Sequence, residues 1–538
     1  MASLKERYAL IKSDITKFKS DLAVIATLPR LYRESISPQE AEEKIRRLLE
    51  TRVQRFLELA RLQIYERAGS PYLKLLKHAG CDFADLEAQV QRRGLEETLA
   101  ALAKGGVYLT AEEFKGKREV VRGGMSFRVS PEVFERRDSK PGFTLQSSGT
   151  RNTPLSTVSS FDWGALRVMV NVITYNAHDL FASAYAVFQP VVGGRVSGPL
   201  MRSKAGMAAE RWFAPKIYAN SWFETQYHHW ITRLTVFLAN RFGPGIAQPE
   251  FLNVGDVRPV VDWIAKNRRE GRKCAIQSVP SNFVKISRAA LAMGVNLDGT
   301  IFLGGGEPLT AAKRAIIEKA GARVLVTYAF GGNINVGQGC ANPEFTDEVH
   351  VQQSLLALVQ HPTPLSDTSS PIRPLLGTTL HPLAPRLLLN VQNGDYATMI
   401  TRDCGCALEK IGFTQHLHTV RSFEKITSEG MNYFGTDLFE MLENIIPSEF
   451  GGGPGDYQLV EEEDDHGQTR LTLVVHPDVG AVNEANLLAR LQQLLSQGPR
   501  DHRFMSTVWK DAGTFRIKRE APYATDRGKI LPLRIMHK

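Results

Sequence analysis

The chain has 538 residues, 43% of them apolar and 23% charged; these values sit near globular averages and, at roughly 100–200 residues per domain, imply more than one domain. Sixty-six lysines and arginines against 57 acids leave a formal charge of +9. That excess is spread along the chain instead of forming a stripe, which suits anionic substrates and argues against a nucleic-acid partner.

Five cysteines do not make a disulfide framework in so long a chain. No run of about eighteen apolar residues offers a membrane span. The start carries Lys5, Arg7, Lys12 and Asp14 where a signal peptide would be apolar. A cytoplasmic protein without a membrane partner is expected.

The first clear element is a helix. Ser37 can cap it, Pro38 suits its first position and Glu40 completes a capping box, after which Ile45, Leu49, Val53, Phe56 and Leu57 recur at helical spacing. Further helices around Tyr72–Leu76 and Leu95–Leu102 complete a helical lead-in over residues 1–120.

From about Gly142, short apolar runs separated by Gly, Pro and Ser alternate with helices, which predicts an α/β body over 121–420. Within it, Ala311–Ala320 reads as a helix, and Val324–Thr327 and Leu387–Val391 read as strands. Past Arg421 the elements shorten. Leu438–Leu442 and Asn486–Leu495 read as helices, Tyr457–Val460 and Leu471–Val475 as strands, and Gly451–Gly455 as a turn. Residues 421–538 thus read as a small α+β unit.

The loop Leu145-Gln146-Ser147-Ser148-Gly149-Thr150, continuing to Pro154, is rich in hydroxyls and backbone donors that suit phosphate oxygens, although ordinary turns share its composition. Downstream come Gly304-Gly305-Gly306-Glu307-Pro308-Leu309-Thr310, Asn393-Gly394-Asp395, Gly430-Met431-Asn432-Tyr433-Phe434 and Asp526-Arg527-Gly528-Lys529-Ile530. In this order the five segments resemble the phosphate loop, the Gly-Glu-Pro turn, the ribose aspartate, the segment beyond the hinge and the lysine turn of the adenylate-forming superfamily. That superfamily includes acyl-CoA synthetases and adenylation domains. Ile64-Tyr65-Glu66-Arg67, with Tyr72 and Gly80, is similar to the helical start of its phenylacetate-CoA ligase-like branch.

The resemblance implies an α/β fold: a large body with a helical lead-in and a small mobile α+β lid at the C-terminus. It implies an AMP-forming acid–thiol ligase that uses ATP and Mg2+ to adenylate a small or aromatic carboxylic acid and passes the acyl group to coenzyme A. A carrier-protein thiol or an amine as acceptor stays open, as does a nucleotide-binding homologue that has lost the chemistry. By the same resemblance Ser147, Ser148, Gly149 and Thr150 would grip phosphate, and Gly305, Gly306, Glu307 and Pro308 would line the adenine and acyl pockets. Phe330 would lie on the adenine, Asp395 would hold the ribose, Arg421 would stand at the hinge and Lys529 would be catalytic.

The acyl pocket would be assembled from residues 182–194, Ser278–Phe283 and the Gly304 turn. One departure concerns the metal: where the family carries Thr or Ser and then a magnesium-holding Glu, this chain has Asn333 and Ile334.

Cys340, His350, Cys404 and Cys406 make a Cys-x9-His and a Cys-x-Cys, a ligand set for tetrahedral zinc, with buried free thiols as the alternative. Their placement also resembles a structural zinc site of some phenylacetate-CoA ligase-like proteins. His228 and His229 stand in a helical aromatic cluster and are expected in the core, and Cys81 and Cys274 have no chemical partner in the sequence.

Overall fold

The computed structural model describes residues 22, 24–33, 35–136, 142–146, 156–191, 196–216, 222–253, 256–330, 334–362, 373–422, 435–463, 469–496, 515–525 and 528–536. The N-terminal helix begins as its sequence dictates. Ser37 Oγ accepts from Glu40 N–H at 3.2 Å and the Glu40 carboxylate accepts from Ser37 N–H at 2.9 Å. This reciprocal box contributes about 1 kcal/mol to the start of helix Pro38–Glu50. Helices Pro71–His78 and Leu95–Lys104 follow.

Two small ladders pair β1 (Val120–Arg122) with β2 (Met125–Phe127) and β3 (Gly142–Gln146) with β4 (Ser156–Ser160). The next strands are β5 (Ala184–Phe188), β6 (Arg211–Pro215), β7 (Pro249–Leu252), β8 (Cys274–Ser278), β9 (Thr300–Gly305) and β10 (Arg323–Phe330). They run parallel in the order β10-β9-β8-β5-β6-β7. Their sequences are near-continuous apolar runs, and β5 is buried at every position, as a parallel strand covered on both faces requires.

The sheet continues antiparallel through β11 (Ile334–Gly339), β12 (Val349–Val351), β16 (Gln415–Ser422), β15 (Val391–Thr401), β14 (Pro374–Thr379) and β13 (Leu356–Gln360), twelve strands in all. The expected strand at Leu387–Val391 is displaced: pairing begins only at Val391 and runs to Thr401. Asn390 explains the shift. Its backbone is left-handed, at φ 50°, and its side chain donates to Leu99 O at 2.8 Å and Val107 O at 3.1 Å, so the chain turns there to meet the N-terminal helices.

One hydrophobic core runs from Val24 to Leu417 and includes the N-terminal helices. Arg55 reinforces that union from its helix by donating to the Ser354 carbonyl at 2.8 Å and to those of Leu380 and Leu48. A separate core spans Leu438 to Phe515. It is built on β17 (Tyr457–Glu463), β18 (Thr469–Val475), β19 (Phe515–Arg519) and β20 (Leu533–Ile535), in the order β19-β18-β17-β20, with helix Glu484–Ser496. The helix expected at Leu438–Leu442 is there, as Gly435–Glu440 followed by a π turn, Met441–Ile445. Among the described residues, no helix is long and apolar enough to cross a membrane.

Candidate active site

Ligands of open α/β sheets sit beyond the carboxyl ends of the parallel strands, and the Gly-Glu-Pro turn leaves β9 at such an end. Gly305 stands opposite Thr327 of β10, so close that an added Cβ would collide with the Thr327 carbonyl. Gly306 then turns with φ +93°, a conformation open to glycine at little cost. Its missing Cβ leaves room for another side chain: the Lys529 ammonium lies 3.0 Å from where that Cβ would be.

Lys529 arrives from more than two hundred residues away and is 6% exposed. A tight turn holds it, with Thr525 N–H donating to Lys529 O at 2.8 Å and Gly528 N–H donating to Thr525 O at 2.7 Å.

Glu307 faces helix Pro280–Ala292, and its Oε1 accepts from the Ser281 N–H in the first turn, where unpaired N–H groups favour an anion. Its Oε2 and the Ser281 hydroxyl have no partner among the described residues. The Pro308 carbonyl accepts from Lys313 Nζ at 3.3 Å.

From β15, across the face of the sheet, Asp395 Oδ2 accepts from the hydroxyl of Tyr328 on β10 at 2.8 Å and from Asn393 Nδ2 at 2.6 Å. Burial first, and then the Asp395 charge, push the Tyr328 phenol well above its ordinary pKa, so it remains a donor. Tyr328 follows Thr327, the partner of Gly305, and this register brings Asp395 to the same end of the sheet as the Gly306 turn. Arg421 lies on β16 opposite Tyr396. Its Nη1 donates to Asp347 Oδ2 at 2.7 Å, while Asp347 Oδ1 accepts from Thr419 N–H at 2.7 Å.

Sequence reasoning missed the polar contacts between the two cores. Lys313 and Glu443 form an ion pair at 2.9 Å with side chains 1% and 6% exposed, and Thr310 also donates to Glu443. Burial alone would lower the Lys313 pKa, but the Glu443 and Glu307 charges outweigh it and leave it raised. Arg288 reaches Asp456 at 2.9 Å nearby. Nothing local signals these partners, since Lys313 stands in an ordinary amphipathic helix and Glu443 lies 130 residues on.

Glu443→Gln should strand the buried Lys313 charge and cost about 3–5 kcal/mol. Lys313→Met/Glu443→Leu should recover most of that loss. Urea denaturation of the single and double variants measures both, and additive losses would contradict the coupling.

The four soft ligands converge. Cys340 follows β11, His350 lies on β12, and Cys404 and Cys406 precede the short helix Ala407–Lys410; their ligand atoms lie within 4.8 Å of one another. His350 Nε2 is 3.5 Å from Cys404 Sγ and 3.1 Å from Cys406 Sγ. A tetrahedron with Zn–S of about 2.3 Å and Zn–N of about 2.0–2.1 Å has edges of roughly 3.5–3.8 Å, so the set is near the right size.

His350 Nδ1 lies 2.8 Å from the Phe413 carbonyl, which fixes the tautomer with Nε2 free for a metal. Glu409 accepts from Cys404 N–H at 2.6 Å and from Gly405 N–H. Hydrogen bonding from Cys340 holds the Cys406 thiol far below its ordinary pKa and pushes Cys340 up in turn, so one thiolate is already favoured.

Ser147, Ser148, Gly149 and Thr150 lie outside the described residues, as do Asn333, 430–434 and 526–527, and the Phe330 side chain is likewise not described. Ile334 is fully buried in the core and offers no oxygen to a metal. His228 is buried, consistent with a packing role, but His229 is only half-buried, against the expectation of a core position, and Trp230 in the same helix is 56% exposed.

No family model matches the chain, and no curated protein does. Among solved structures it is similar to 2-hydroxyisobutyryl-CoA ligase in the postadenylation state in complex with 2-HIB-AMP, at 14% identity and TM-score 0.48, over 94% of this chain and 91% of that one. It is similar to the amide bond synthetase McbA from Marinactinospora thermotolerans at 12% identity and TM-score 0.37, over 90% and 92% of the two chains. For apo MbtA of Mycobacterium smegmatis the values are 14%, 0.32, 95% and 93%.

Proposed function

We propose that the chain is an adenylate-forming ligase that activates a carboxylic acid with ATP and passes the acyl group to coenzyme A. The observation that carries this reading is the buried Lys529 ammonium packed on the Gly306 turn, at the strand ends where Asp395 also presents a carboxylate. A lysine enclosed there can neutralise anionic oxygens as their charge builds.

In the first step a carboxylate oxygen attacks the α-phosphorus of ATP and the bond to the β-phosphate oxygen breaks. Pyrophosphate leaves and acyl-AMP forms. In the second step the acceptor sulfur attacks the acyl carbon, the thiol proton goes to solvent, and AMP leaves with the bonding pair. Lys529 would stabilise the first transition state, and Asp395 would accept hydrogen bonds from the ribose hydroxyls. The Ser147–Thr150 loop would hold phosphate and Phe330 would lie on the adenine.

Residues 1–420 would form the body with its helical lead-in. Residues from 421 would form the lid, with Arg421 at the hinge. Magnesium would be carried by the triphosphate and its own waters, because position 334 supplies no carboxylate. The Cys340, His350, Cys404 and Cys406 set fits zinc, and four protein ligands leave no open position, which makes the site structural. Reduced thiols suit the cytoplasm.

The buried Ile334 favours one competing reading, a nucleotide-binding protein without ligase chemistry. Pyrophosphate release with ATP and magnesium across aryl and alkyl carboxylates decides between them. Release that needs an acid supports the ligase, dependence on added coenzyme A over a carrier thiol or an amine names the acceptor, and tight ATP binding without release for any acid would falsify it. Asp395→Asn should raise the KM for ATP roughly 10- to 100-fold, the loss expected for a charged hydrogen bond, with kcat changed less. Initial-rate kinetics over a range of ATP concentrations would check this, and an unchanged KM would remove Asp395 from the ribose.

A further inference from the structure

The loop that delivers Lys529 has two legs and a tip, and one buried side chain joins the legs. Ala524 and Ile530 pair as an antiparallel bridge. At the tip, Lys529 N–H donates to Thr525 Oγ1 at 3.2 Å, beside the backbone bonds of the same turn. At the base, Gln458 of β17 is 1% exposed. Its Nε2 donates to Tyr523 O at 3.1 Å and to Leu531 O at 2.8 Å, and its Oε1 accepts from Tyr523 N–H at 2.8 Å.

A glutamine amide carries two N–H donors and one carbonyl acceptor, and Gln458 spends all three groups on this loop. The loop is also tied to β17 by Leu459 N–H, which donates to Pro532 O at 2.9 Å, and by the pairing of β20 with β17. Both of those ties lie past Leu531, on the outgoing leg. Gln458 ties the incoming leg, at Tyr523, to the same strand.

The strand is in turn fixed against the body. Asp456 immediately precedes β17; its Oδ1 accepts from Arg288 Nη1 at 2.9 Å and its Oδ2 from Gly453 N–H at 2.9 Å. Arg288 stands on helix Pro280–Ala292, and Asn282 of that helix lies beside the lysine turn, with Nδ2 3.3 Å from where a Cβ of Gly528 would stand. Asn282 is itself held: its Nδ2 donates to Ser278 Oγ at 2.9 Å, and Ser278 donates to Phe188 O at 2.6 Å. One helix of the body thus meets both β17 and the lysine turn, at positions about 9 Å apart along its axis.

We infer that Gln458 is a positioning residue for Lys529: it sets the lysine loop on β17, and the Arg288–Asp456 pair sets β17 on the body, so that the ammonium arrives at the Gly306 turn. The catalytic consequence rests on the ligase reading; the placement of the lysine does not. Displacing a reacting group by about 1 Å can cost on the order of 10²-fold in rate, so releasing one leg of the loop is enough to matter.

The test reads Lys529 in two ways. Brief acetylation of the full chain with acetic anhydride, followed by peptide mass spectrometry, reports its accessibility against Lys273, which is 56% exposed at the start of β8. Gln458→Met should raise the Lys529 rate about 5- to 10-fold at a constant Lys273 rate, the equivalent of one net hydrogen bond lost from the closed loop. In acid-dependent pyrophosphate release the same variant should lower kcat about 10- to 100-fold, with the KM for ATP within about threefold. In the Lys529→Ala background it should cost less than about threefold, because the side chain it positions is gone. Arg288→Met, at a side chain 35% exposed, should move both readouts in the same direction by about threefold, and it decides the matter if Gln458→Met does not fold.

A Lys529 labelling rate unchanged in both variants overturns the proposal. So does a full kcat loss for Gln458→Met in the Lys529→Ala background, which would make Gln458 a residue of fold stability alone. Raised labelling in a chain that releases no pyrophosphate with any acid would uphold the positioning and sink only the ligase reading.

Discussion

Lys529→Ala is expected to lower kcat for acid-dependent pyrophosphate release by about 10²- to 10³-fold, the loss seen when one preorganised donor is removed from developing negative charge. The side chain is enclosed, with its ammonium against the Gly306 backbone, so a water entering the gap would bring a dipole in place of a fixed charge. ATP affinity should move far less, because the lysine matters most where charge accumulates in the transition state. Stopped-flow release assays alongside equilibrium nucleotide binding separate the two effects. A variant that loses affinity and keeps its rate would turn Lys529 into a binding residue.

The second large effect concerns the cysteine–histidine cluster. Purified protein should carry about one zinc per chain, and Cys406→Ser should lose it together with more than about 3 kcal/mol of stability, because a site of this kind couples metal binding to folding. Cys406 is buried and already drawn toward the thiolate by its hydrogen bond from Cys340. The four ligands gather three separate stretches: the turn after β11, β12 itself, and the turn after β15. Elemental analysis with chemical denaturation, with and without chelator, reads both quantities. Metal-free protein of unchanged stability would leave the cluster as ordinary buried thiols.

Chemistry carried by local motifs was legible in the sequence, and partners that no motif ties together were not. Ser37, Pro38 and Glu40 announce a helix because a capping box closes within four residues, and the structure forms it. The Cys-x-Cys pair is legible for the same reason, since its two sulfurs cannot be far apart. The start of β15 was misplaced because the Asn390 backbone is set by the carbonyls of Leu99 and Val107, almost three hundred residues earlier. Lys313 and Glu443 escaped notice as well, for each reads as a surface charge until the two cores meet.

Asn390 and Arg55 also bear on how this chain could be divided. Asn390 spends its side-chain amide on the loop and helix at Leu99 and Val107, and Arg55 spends its guanidinium on the carbonyls of Ser354 and Leu380. Removal of the first 120 residues would leave the Asn390 amide without its acceptors and take Arg55 away from the Ser354 and Leu380 carbonyls. The helical lead-in is therefore not a detachable cassette. A shortened chain or a fusion junction that respects the fold has to keep those helices with the sheet, and a protease would find a cut there only after the body had opened.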